Sequence, residues 1–324
     1  MKIRLDKNEM FKPPPKEILD PVKQSIEKIN RYTPQSKVEE LIRLISNYTK
    51  IPQDSIILSS ASDILIKEFI YLFARNRQII IADPTFILIT NAAQKTSSPL
   101  LKIRLRGPEF KIYLEQFVDE INIPTLIVFD NPNNPTGSLL LDKKDIKTVL
   151  ENDNVIFLID EAYFEFSKIS YLNLLSNFPN LAIVRTLSKS FGLAGSGIGY
   201  LLCGDAIKRK FFGLEIMLPY PSVVAAINAL HNLDYMKKYI KEIEKEKKRI
   251  ITSVSKMGIT VFPSYTNFIL MKTGIENISQ KLLKQGIYVH DVSEQLSSEY
   301  IRVTIGTKKE NDYFLSYLEQ LTKS

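Results

Sequence analysis

A lysine, Lys189, stands between an apolar segment and a glycine-rich segment. Residues 181–184 are Leu-Ala-Ile-Val, and four glycines follow the lysine between positions 192 and 199. At the carboxyl end of a buried strand, desolvation lowers the pKa of a lysine and frees its amine to form a Schiff base. A phosphate-binding lysine, or one whose amine reaches solvent, is the alternative on this stretch alone.

Polar residues also follow other short apolar runs, which alternate with helical segments from residue 56 onward. These runs are 56–58, 79–82, 125–129, 155–159, 181–184 and 198–203. Continuous apolar strands separated by helices predict an α/β fold whose mostly parallel sheet is buried on both faces. In such sheets, ligands bind at the carboxyl ends of the strands. We therefore expect Lys189 to share one edge of the sheet with Asp160 and the segment 130–137.

Asp160 ends the run 155–159, and a carboxylate buried there requires a cationic partner. A protonated pyridine ring is one candidate, and an arginine or a helix N-terminus is the other. A pyridinium cofactor also needs a lysine, donors to its ring oxygen, an aromatic face and a phosphate site. Tyr163 and Asn134 could reach the ring oxygen, although turn formation also explains Asn134.

The phosphate site and the aromatic face each have a candidate. Ser62 and Asp63 open a predicted helix that runs to Phe73. With Ser62 as its N-cap, the free backbone N–H groups of the first turn can bind phosphate. A plain helix cap is the alternative. Phe86 could stack on a ring or lie in the core.

The composition is that of a globular protein and argues against several other classes. The chain has 324 residues, one cysteine (Cys203) and two histidines, His231 and His290. It therefore has no internal disulfide framework, fits a reducing cytoplasm, and offers no Cys/His zinc site or other metal site. No apolar run reaches membrane-spanning length, and residues 1–9 contain no signal core.

The net charge of +7 makes a nucleic-acid partner worth weighing. However, the densest basic run, 237–249, is interrupted by three glutamates, as on the solvated face of a long helix. No nucleic-acid-binding motif accompanies it, so we expect no nucleic-acid partner.

The pattern predicts three parts. Residues 1–30 form an arm and a helix from about 17 to 29 that pack with the small domain, and a second helix spans 38–49. Residues 31–233 form the large ligand-binding domain. Residues 234–324 form a smaller α/β domain that opens with a long charged helix over 234–257, followed by alternating strands and helices.

Several stretches, taken together and in order, resemble fold-type I aminotransferases that depend on pyridoxal 5'-phosphate (PLP), within them the histidinol-phosphate aminotransferase group. They are LDKNE at 5–9, NRY at 30–32, ASD at 61–63, DPTF at 83–86, NPNNPTG at 131–137, DEAY at 160–163, RTLSK at 185–189, NF at 267–268 and IRVTIGT at 301–307. The resemblance implies a large domain with a seven-stranded sheet covered by helices on both faces, plus a smaller α/β domain.

The resemblance also assigns roles. Lys189 would carry the cofactor and move the substrate proton, and Asp160 would pair with the ring nitrogen. Asn134 and Tyr163 would hold the ring oxygen and Phe86 would stack on the ring. The phosphate would be surrounded by Ser62, Asp63, Thr186 and Ser188, with Tyr32 reaching it from the other subunit of a homodimer. The substrate-binding residues would be Arg302, whose anion clamp is worth about 1.5–3 kcal/mol, together with His290 and Asn8.

Three departures from the family pattern bear on this assignment. Gly197 stands where the family has an arginine that grips the cofactor phosphate. His290 replaces another family arginine, and we expect it to be partly charged near its ordinary pKa of about 6.5. The chain also begins at the LDKNE stretch, without the preceding segment that helps to bind substrate in many relatives.

The implied reaction converts histidinol phosphate and 2-oxoglutarate to imidazole acetol phosphate and glutamate, in histidine biosynthesis. A related PLP enzyme of other specificity is the alternative: an aromatic or other amino-acid aminotransferase, or a decarboxylase of the O-phosphothreonine type. A catalytically weak, ligand-binding paralogue is the second alternative, and Gly197 is the feature that favours it.

Overall fold

The computed structural model describes residues 2–211 and 217–323, and these contain two β-sheets flanked by helices. The strands are β1 (Ile3–Leu5), β2 (Ile56–Ser59), β3 (Gln78–Asp83), β4 (Leu100–Arg104), β5 (Thr125–Asp130), β6 (Val155–Asp160), β7 (Leu181–Thr186), β8 (Gly199–Cys203), β9 (Thr260–Val261), β10 (Phe268–Lys272), β11 (Ile287–Asp291) and β12 (Tyr300–Thr304). The α-helices are α1 (Lys16–Ser25), α2 (Gln35–Thr49), α3 (Ser62–Phe73), α4 (Ile87–Gln94), α5 (Lys143–Leu150), α6 (Phe164–Ser167), α7 (Asp205–Lys208), α8 (Tyr220–His231), α9 (Leu233–Lys256), α10 (Ile278–Leu283) and α11 (Lys308–Lys323).

The larger sheet confirms the predicted α/β fold with a mostly parallel sheet. In the described residues it has seven strands in the order β2-β8-β7-β6-β5-β3-β4. Strands β3 to β7 pair in parallel, and β8 runs antiparallel to both β7 and β2. Asp160 lies opposite Asp130 on one side and Val184 on the other, which brings the ends of β5, β6 and β7 together.

Both faces of this sheet are buried, which explains why its strands are apolar throughout. Along β3, Ile80 packs into one apolar cluster while Ile79 and Ile81 pack into another. Alternate residues of a strand point to opposite faces, so the two clusters are the two helix-covered sides of the sheet.

The smaller sheet has the order β1-β11-β12-β10-β9 in the described residues. Strand β1 pairs in parallel with β11, with Ile3 opposite Ile287. The sequence pattern predicted only an arm here, because three residues are too few to show the alternation of a strand.

The division of the chain at residues 30 and 233 stays a prediction.

The helix pattern agrees closely with the structure at one place and differs at another. The helix predicted from 234 to 257 is α9, which buries Met236, Tyr239, Ile240 and Ile243. The helix predicted from about 17 to 29 begins at Lys16 but ends at Ser25, where a 3-10 turn takes over. No helix in the described ranges is long and apolar enough to cross a membrane.

Candidate active site

A cavity of about 800 Å³ lies at the carboxyl ends of the parallel strands. The N-terminal segment, the first turn of α3, the loop after β7 and strands β11 and β12 supply its other walls. Its lining includes twelve of the thirteen residues that the sequence singled out: Asn8, Ser62, Asp63, Phe86, Asn134, Asp160, Tyr163, Thr186, Ser188, Lys189, His290 and Arg302. Their individual roles stay predictions.

Lys189 enters this cavity from the loop after β7. Its Nζ donates a hydrogen bond to the carbonyl oxygen of Lys7 at 3.4 Å. Burial, and then the nearby guanidinium of Arg302, lower the pKa of Lys189. The lysine is therefore closer to a free amine than a surface lysine is.

Asp160 ends β6 and has only 6% of its surface exposed. Its Oδ1 accepts a hydrogen bond from the backbone N–H of Ala162 at 2.9 Å. Burial, and then the carboxylate of Asp130, raise the pKa of Asp160 to about 8. No lysine, arginine or histidine of the described ranges forms an ion pair with it, so the position calls for a cation from the cavity.

Asp130, at the end of β5, differs from Asp160 because several protein groups donate hydrogen bonds to it. The sequence analysis did not distinguish its role from that of the neighbouring polar residues. It accepts hydrogen bonds from the hydroxyl of Thr85 at 2.7 Å, the backbone of Phe86 at 3.1 Å, the side chain of Asn133 at 2.9 Å and the backbone of Asn134 at 2.7 Å. Burial raises its pKa to about 6. Asp130 thus fixes the backbone at the two predicted cofactor contacts, Phe86 and Asn134.

Arg302 lies on β12 with 4% of its surface exposed. Its two terminal nitrogens donate to the side-chain oxygen of Asn134 and to the carbonyl oxygen of Asp6. The Nε is buried and has no hydrogen-bond partner among the described residues. Burial lowers the pKa of Arg302 to about 10, so the guanidinium still carries its charge at neutral pH.

His290 lies directly opposite Arg302 in the pairing of β11 with β12. Burial, and then the charge of Arg302, lower the pKa of His290 to about 4. The expectation of a partly charged imidazole near pH 6.5 is therefore wrong. At neutral pH His290 offers the cavity a hydrogen bond and no charge.

Tyr163 and Asn8 meet through a hydrogen bond of 2.8 Å from the amide of Asn8 to the phenol oxygen. Asn8 is fixed in turn, because Thr304 donates to its side chain at 2.9 Å and Asn267 donates to its backbone oxygen at 3.1 Å. Burial raises the pKa of Tyr163 to about 12, which keeps the phenol protonated. This tyrosine can donate a hydrogen bond to a ring oxygen.

Helix α3 begins at Ser62, and its N-cap is Ala61 in an extended conformation. The prediction of Ser62 as N-cap is wrong by one residue, because the chain enters the helix through Ala61. Because Ala61 has no side chain that can accept a hydrogen bond, the backbone N–H groups in the first turn of α3 are not capped by a side chain. Across the cavity, Thr186 donates to the hydroxyl of Ser188 at 2.9 Å.

Tyr32 is the one predicted residue that does not line the cavity. It is 89% exposed, on the surface segment that follows α1. Ile29, on the same segment, is 71% exposed.

A buried ion pair lies on the other side of the same strands. Arg185 and Glu161 are adjacent in sequence to Thr186 and Asp160, so their side chains point away from the cavity. The Nε and one terminal nitrogen of Arg185 donate to Oε2 of Glu161 at 3.0 and 2.7 Å. Ser170 and the backbone of Tyr171 donate to the same carboxylate at 2.8 Å each. No polar atom of the Glu161 carboxylate lacks a partner.

The chain matches the family model described as aminotransferase class I and II over residues 1–318. It is 31% identical to the histidinol-phosphate aminotransferase of Sulfurisphaera tokodaii, covering 99% of this chain and 91% of that protein. It is 33% identical to the enzyme of the same name from Pyrococcus furiosus, covering 98% and 92%.

Solved structures agree with the fold. The histidinol-phosphate aminotransferase of Clostridium acetobutylicum superposes with a TM-score of 0.90 at 26% identity, covering 99% of each chain. The enzyme of the same name from Sinorhizobium meliloti, in complex with pyridoxal-5'-phosphate, has a TM-score of 0.89 at 22% identity, covering 100% of this chain and 91% of that one.

Proposed function

Since the chain belongs to the class I and II aminotransferase family, we propose that it transfers the amino group of histidinol phosphate to 2-oxoglutarate. It is a PLP-dependent aminotransferase, and the products are imidazole acetol phosphate and glutamate. Full-length relatives at 31–33% identity carry the name of this activity. The reaction belongs to histidine biosynthesis, and we place it in the cytoplasm.

One observation carries the cofactor chemistry: Lys189 and Asp160 line the same cavity, and neither is bound in an ion pair with a described residue. The residues present fit PLP on the chemistry of their groups. Asp160 would hold the protonated ring nitrogen, Tyr163 and Asn134 the ring oxygen, and Phe86 the ring face. Ser62, Asp63, Thr186 and Ser188 would surround the phosphate. When bound, the cofactor supplies an electron sink for the charge that develops at the substrate carbon.

Lys189 is the group that moves the proton. Its lowered pKa leaves a larger share of the amine unprotonated at neutral pH than an exposed lysine has. An unprotonated amine in the cavity can act as general base on the carbon that bears the substrate nitrogen, and can return the proton as general acid. The hydrogen bond to Lys7 orients Nζ at the N-terminal wall of the cavity.

Asp160 provides the electrostatic half of the site. Without a cation its buried carboxylate holds a proton up to about pH 8. A cation on the cavity side stabilises the charged form and lowers that pKa again. The carboxylate therefore selects a protonated ring nitrogen over a neutral one.

Arg302 supports the choice of an anionic substrate. Its buried Nε has no partner among the described residues, while the rest of its guanidinium is held by Asn134 and Asp6. An arginine fixed in this way binds a phosphate or a carboxylate with little loss of side-chain entropy. The phosphate of histidinol phosphate and the carboxylates of glutamate both meet this requirement. His290, being neutral, adds a hydrogen bond only.

We also infer a homodimer in which Tyr32 reaches the site of the partner subunit. The support is its exposure of 89%, next to Ile29 at 71%, on a segment outside the cavity of its own chain. Sedimentation of the intact protein tests the dimer. Mixing inactive Lys189→Ala protein with inactive Tyr32→Ala protein tests the shared site, since heterodimers should regain activity in one of their two sites.

An amino-donor screen with 2-oxoglutarate tests the reaction, with the conversion of the cofactor to its amino form followed by absorbance. We expect histidinol phosphate to give the highest kcat/KM. A higher value for an aromatic amino acid would replace the substrate assignment. Release of carbon dioxide without formation of a keto compound would replace the reaction.

A further inference from the structure

The loop between β11 and β12 connects the smaller sheet to the cavity wall at Phe86. Gln295 of this loop lines the cavity, and its side-chain amide nitrogen donates a hydrogen bond of 2.9 Å to the carbonyl oxygen of Thr85. Thr85 lies between β3 of the larger sheet and α4. Gln295 and Thr85 are 210 residues apart in the chain, so the fold alone brings them together.

The hydrogen bond acts on the peptide unit that directly precedes the Cα of Phe86. This unit consists of the carbonyl of Thr85 and the N–H of Phe86. Its N–H donates to Oδ2 of Asp130 at 3.1 Å, and its carbonyl accepts from Gln295. The hydroxyl of Thr85 donates to the same carboxylate at 2.7 Å. The peptide unit is therefore held on one side by the larger sheet and on the other by the loop of the smaller sheet.

Holding both polar groups of this unit fixes the direction in which the side chain of Phe86 leaves the backbone. A peptide unit is planar, so two hydrogen bonds on its opposite sides determine its orientation. Towards α4, the carbonyl oxygen of Phe86 accepts a hydrogen bond from the N–H of Ile89 at 2.8 Å. Phe86 is half-buried and packs against the apolar cluster on one face of the larger sheet. Gln295 thus contributes to the placement of an aromatic ring that it need not touch.

The backbone of Gln295 is anchored to both sheets. Its N–H donates to the carbonyl oxygen of Val292 at 3.1 Å, and Val292 is buried in an apolar cluster with Phe262 and Leu270. Its carbonyl oxygen accepts a hydrogen bond of 3.5 Å from Arg104 on β4. Since the loop is fixed at this residue, the side-chain amide needs little further ordering to hold its partner.

The loop also joins the two strands that carry the proposed substrate contacts. His290 lies on β11 and Arg302 on β12, and the two residues are paired across these strands. Gln295 therefore connects the strands that supply the substrate contacts to the segment that supplies the proposed ring contact. A direct contact of Gln295 with the substrate is the alternative role for a residue in this position.

We propose that Gln295 is a positioning residue for the cofactor: by holding the peptide between Thr85 and Phe86, it sets the ring of Phe86 against the cofactor face. The inference rests on the proposed function, in which Phe86 stacks on the cofactor ring. An aromatic face that is fixed before binding reduces the free energy spent on ordering when the cofactor binds. Gln295 therefore contributes to the affinity for the cofactor and to the orientation of the bound ring.

Binding of PLP in the absence of substrate tests the proposal. The Kd comes from titration of the cofactor-free protein, and visible circular dichroism reports the surroundings of the bound ring, because PLP itself is achiral. Gln295→Met keeps the length of the side chain and removes its donor, and Gln295→Ala removes both. We expect each variant to raise the Kd by about threefold to fivefold, where the upper value corresponds to one net hydrogen bond of about 1 kcal/mol. The intensity of the dichroism band should change as well.

Glu294→Met is the matched control, since Glu294 is an exposed neighbour in the same loop and should keep the wild-type Kd and dichroism. Wild-type values in both Gln295 variants would overturn the inference. An unchanged Kd combined with a raised KM for histidinol phosphate would assign Gln295 to the substrate, and would also overturn it. Failure of the wild-type protein to bind PLP, or to convert it with any amino donor, would instead contradict the proposed function.

A double-variant cycle identifies the route of the effect. Phe86→Leu removes the aromatic face and keeps an apolar side chain. If Gln295 acts through Phe86, adding Gln295→Met to Phe86→Leu should raise the Kd by less than about 1.5-fold more. A second rise of about threefold to fivefold would show that Gln295 acts elsewhere, and would refute its positioning of Phe86.

Discussion

The two faces of strands β6 and β7 carry the same kinds of side chain in opposite states. On the far face, the carboxylate of Glu161 is fully satisfied by Arg185, Ser170 and Tyr171. On the cavity face, the adjacent carboxylate of Asp160 has one backbone donor and no ion pair with a described residue. Buried charges that are completely paired stabilise a fold, whereas a buried charge left unpaired is available to a ligand.

The largest effect is expected from the amine on the cavity face. Lys189→Ala should lower turnover by up to about 10⁴-fold, because it removes the group that moves the proton. Single-turnover assays with histidinol phosphate measure this. Lys237→Ala, which removes an exposed ammonium from α9, serves as control and should stay near wild type. Wild-type turnover in the Lys189 variant would refute the mechanism.

The far face should respond in stability. Glu161→Gln leaves the buried guanidinium of Arg185 without its counter-charge, and we expect a loss of about 3–5 kcal/mol in the free energy of unfolding. Denaturant titration of the cofactor-free protein measures it. The matched double variant Glu161→Leu with Arg185→Met should recover most of the loss, because it removes both charges together. No recovery would mean that the pair does more than balance charge.

Asp160→Asn should change activity and stability in opposite directions. We expect activity to fall by about 10²–10³-fold, since the ring nitrogen loses its partner. The cofactor-free variant should nevertheless be more stable than wild type at neutral pH. The carboxylate of wild type binds a proton more tightly when folded, with a pKa of about 8, than when unfolded, near 3.8.

The pH dependence gives this prediction its sign. Between about pH 4 and 8, the folded protein keeps a proton on Asp160 that the unfolded chain has lost. The contribution of Asp160 to the stability of the wild-type protein therefore falls as the pH rises through this range. The Asn variant should lack that slope. If Asp160→Asn instead destabilises the cofactor-free protein at pH 7, the carboxylate is satisfied by the protein itself.

A smaller loss is expected at the anion clamp. Arg302→Lys keeps the charge but loses the planar guanidinium fork. We expect kcat/KM to fall by the factor that corresponds to about 1.5–3 kcal/mol of lost transition-state stabilisation, for both phosphate and carboxylate substrates. Steady-state kinetics with histidinol phosphate and with 2-oxoglutarate measure the two. An effect confined to one substrate would assign the clamp to that substrate alone.

The smallest effect is expected at His290. Burial and Arg302 hold its pKa at about 4, so the imidazole should not titrate in the range where the enzyme is assayed. We expect His290→Gln, which keeps a hydrogen-bonding side chain, to change KM by less than about threefold and to leave the pH profile between 5.5 and 8 unchanged. If the pH profile of the variant lacked an inflection near pH 6.5 that the wild-type profile shows, the conclusion that His290 is neutral would be wrong.

The sequence predicted those features that depend on residue type at a strand end. Lys189 and Asp160 were found because a charged residue after an apolar run is costly unless it is used. Asp130 was missed as an organiser because its donors include Thr85 and Phe86 from the loop after β3. A contact of that kind depends on which strands are neighbours, and local pattern does not contain it.

Errors in detail have the same origin. The charge of His290 was misjudged because Arg302, twelve residues later, is brought opposite it only by the pairing of β11 with β12. Strand β4 went unnoticed because Lys102 and Arg104 are exposed in a short edge strand. Gly197 was recognised as a departure, but the carbonyl oxygen of Ser60, which a Cβ at position 197 would meet, belongs to a segment far away in the chain.

The pairing of β1 with β11 has a consequence for biosynthesis. Ile3 to Leu5 find their partners at Ile287 to Val289, and Asn8 is fixed by Thr304. During translation these early residues leave the ribosome long before their partners are made. The wall of the cavity that they form can therefore be completed only near the end of synthesis, so a nascent chain cannot turn over substrate before its last strands have emerged.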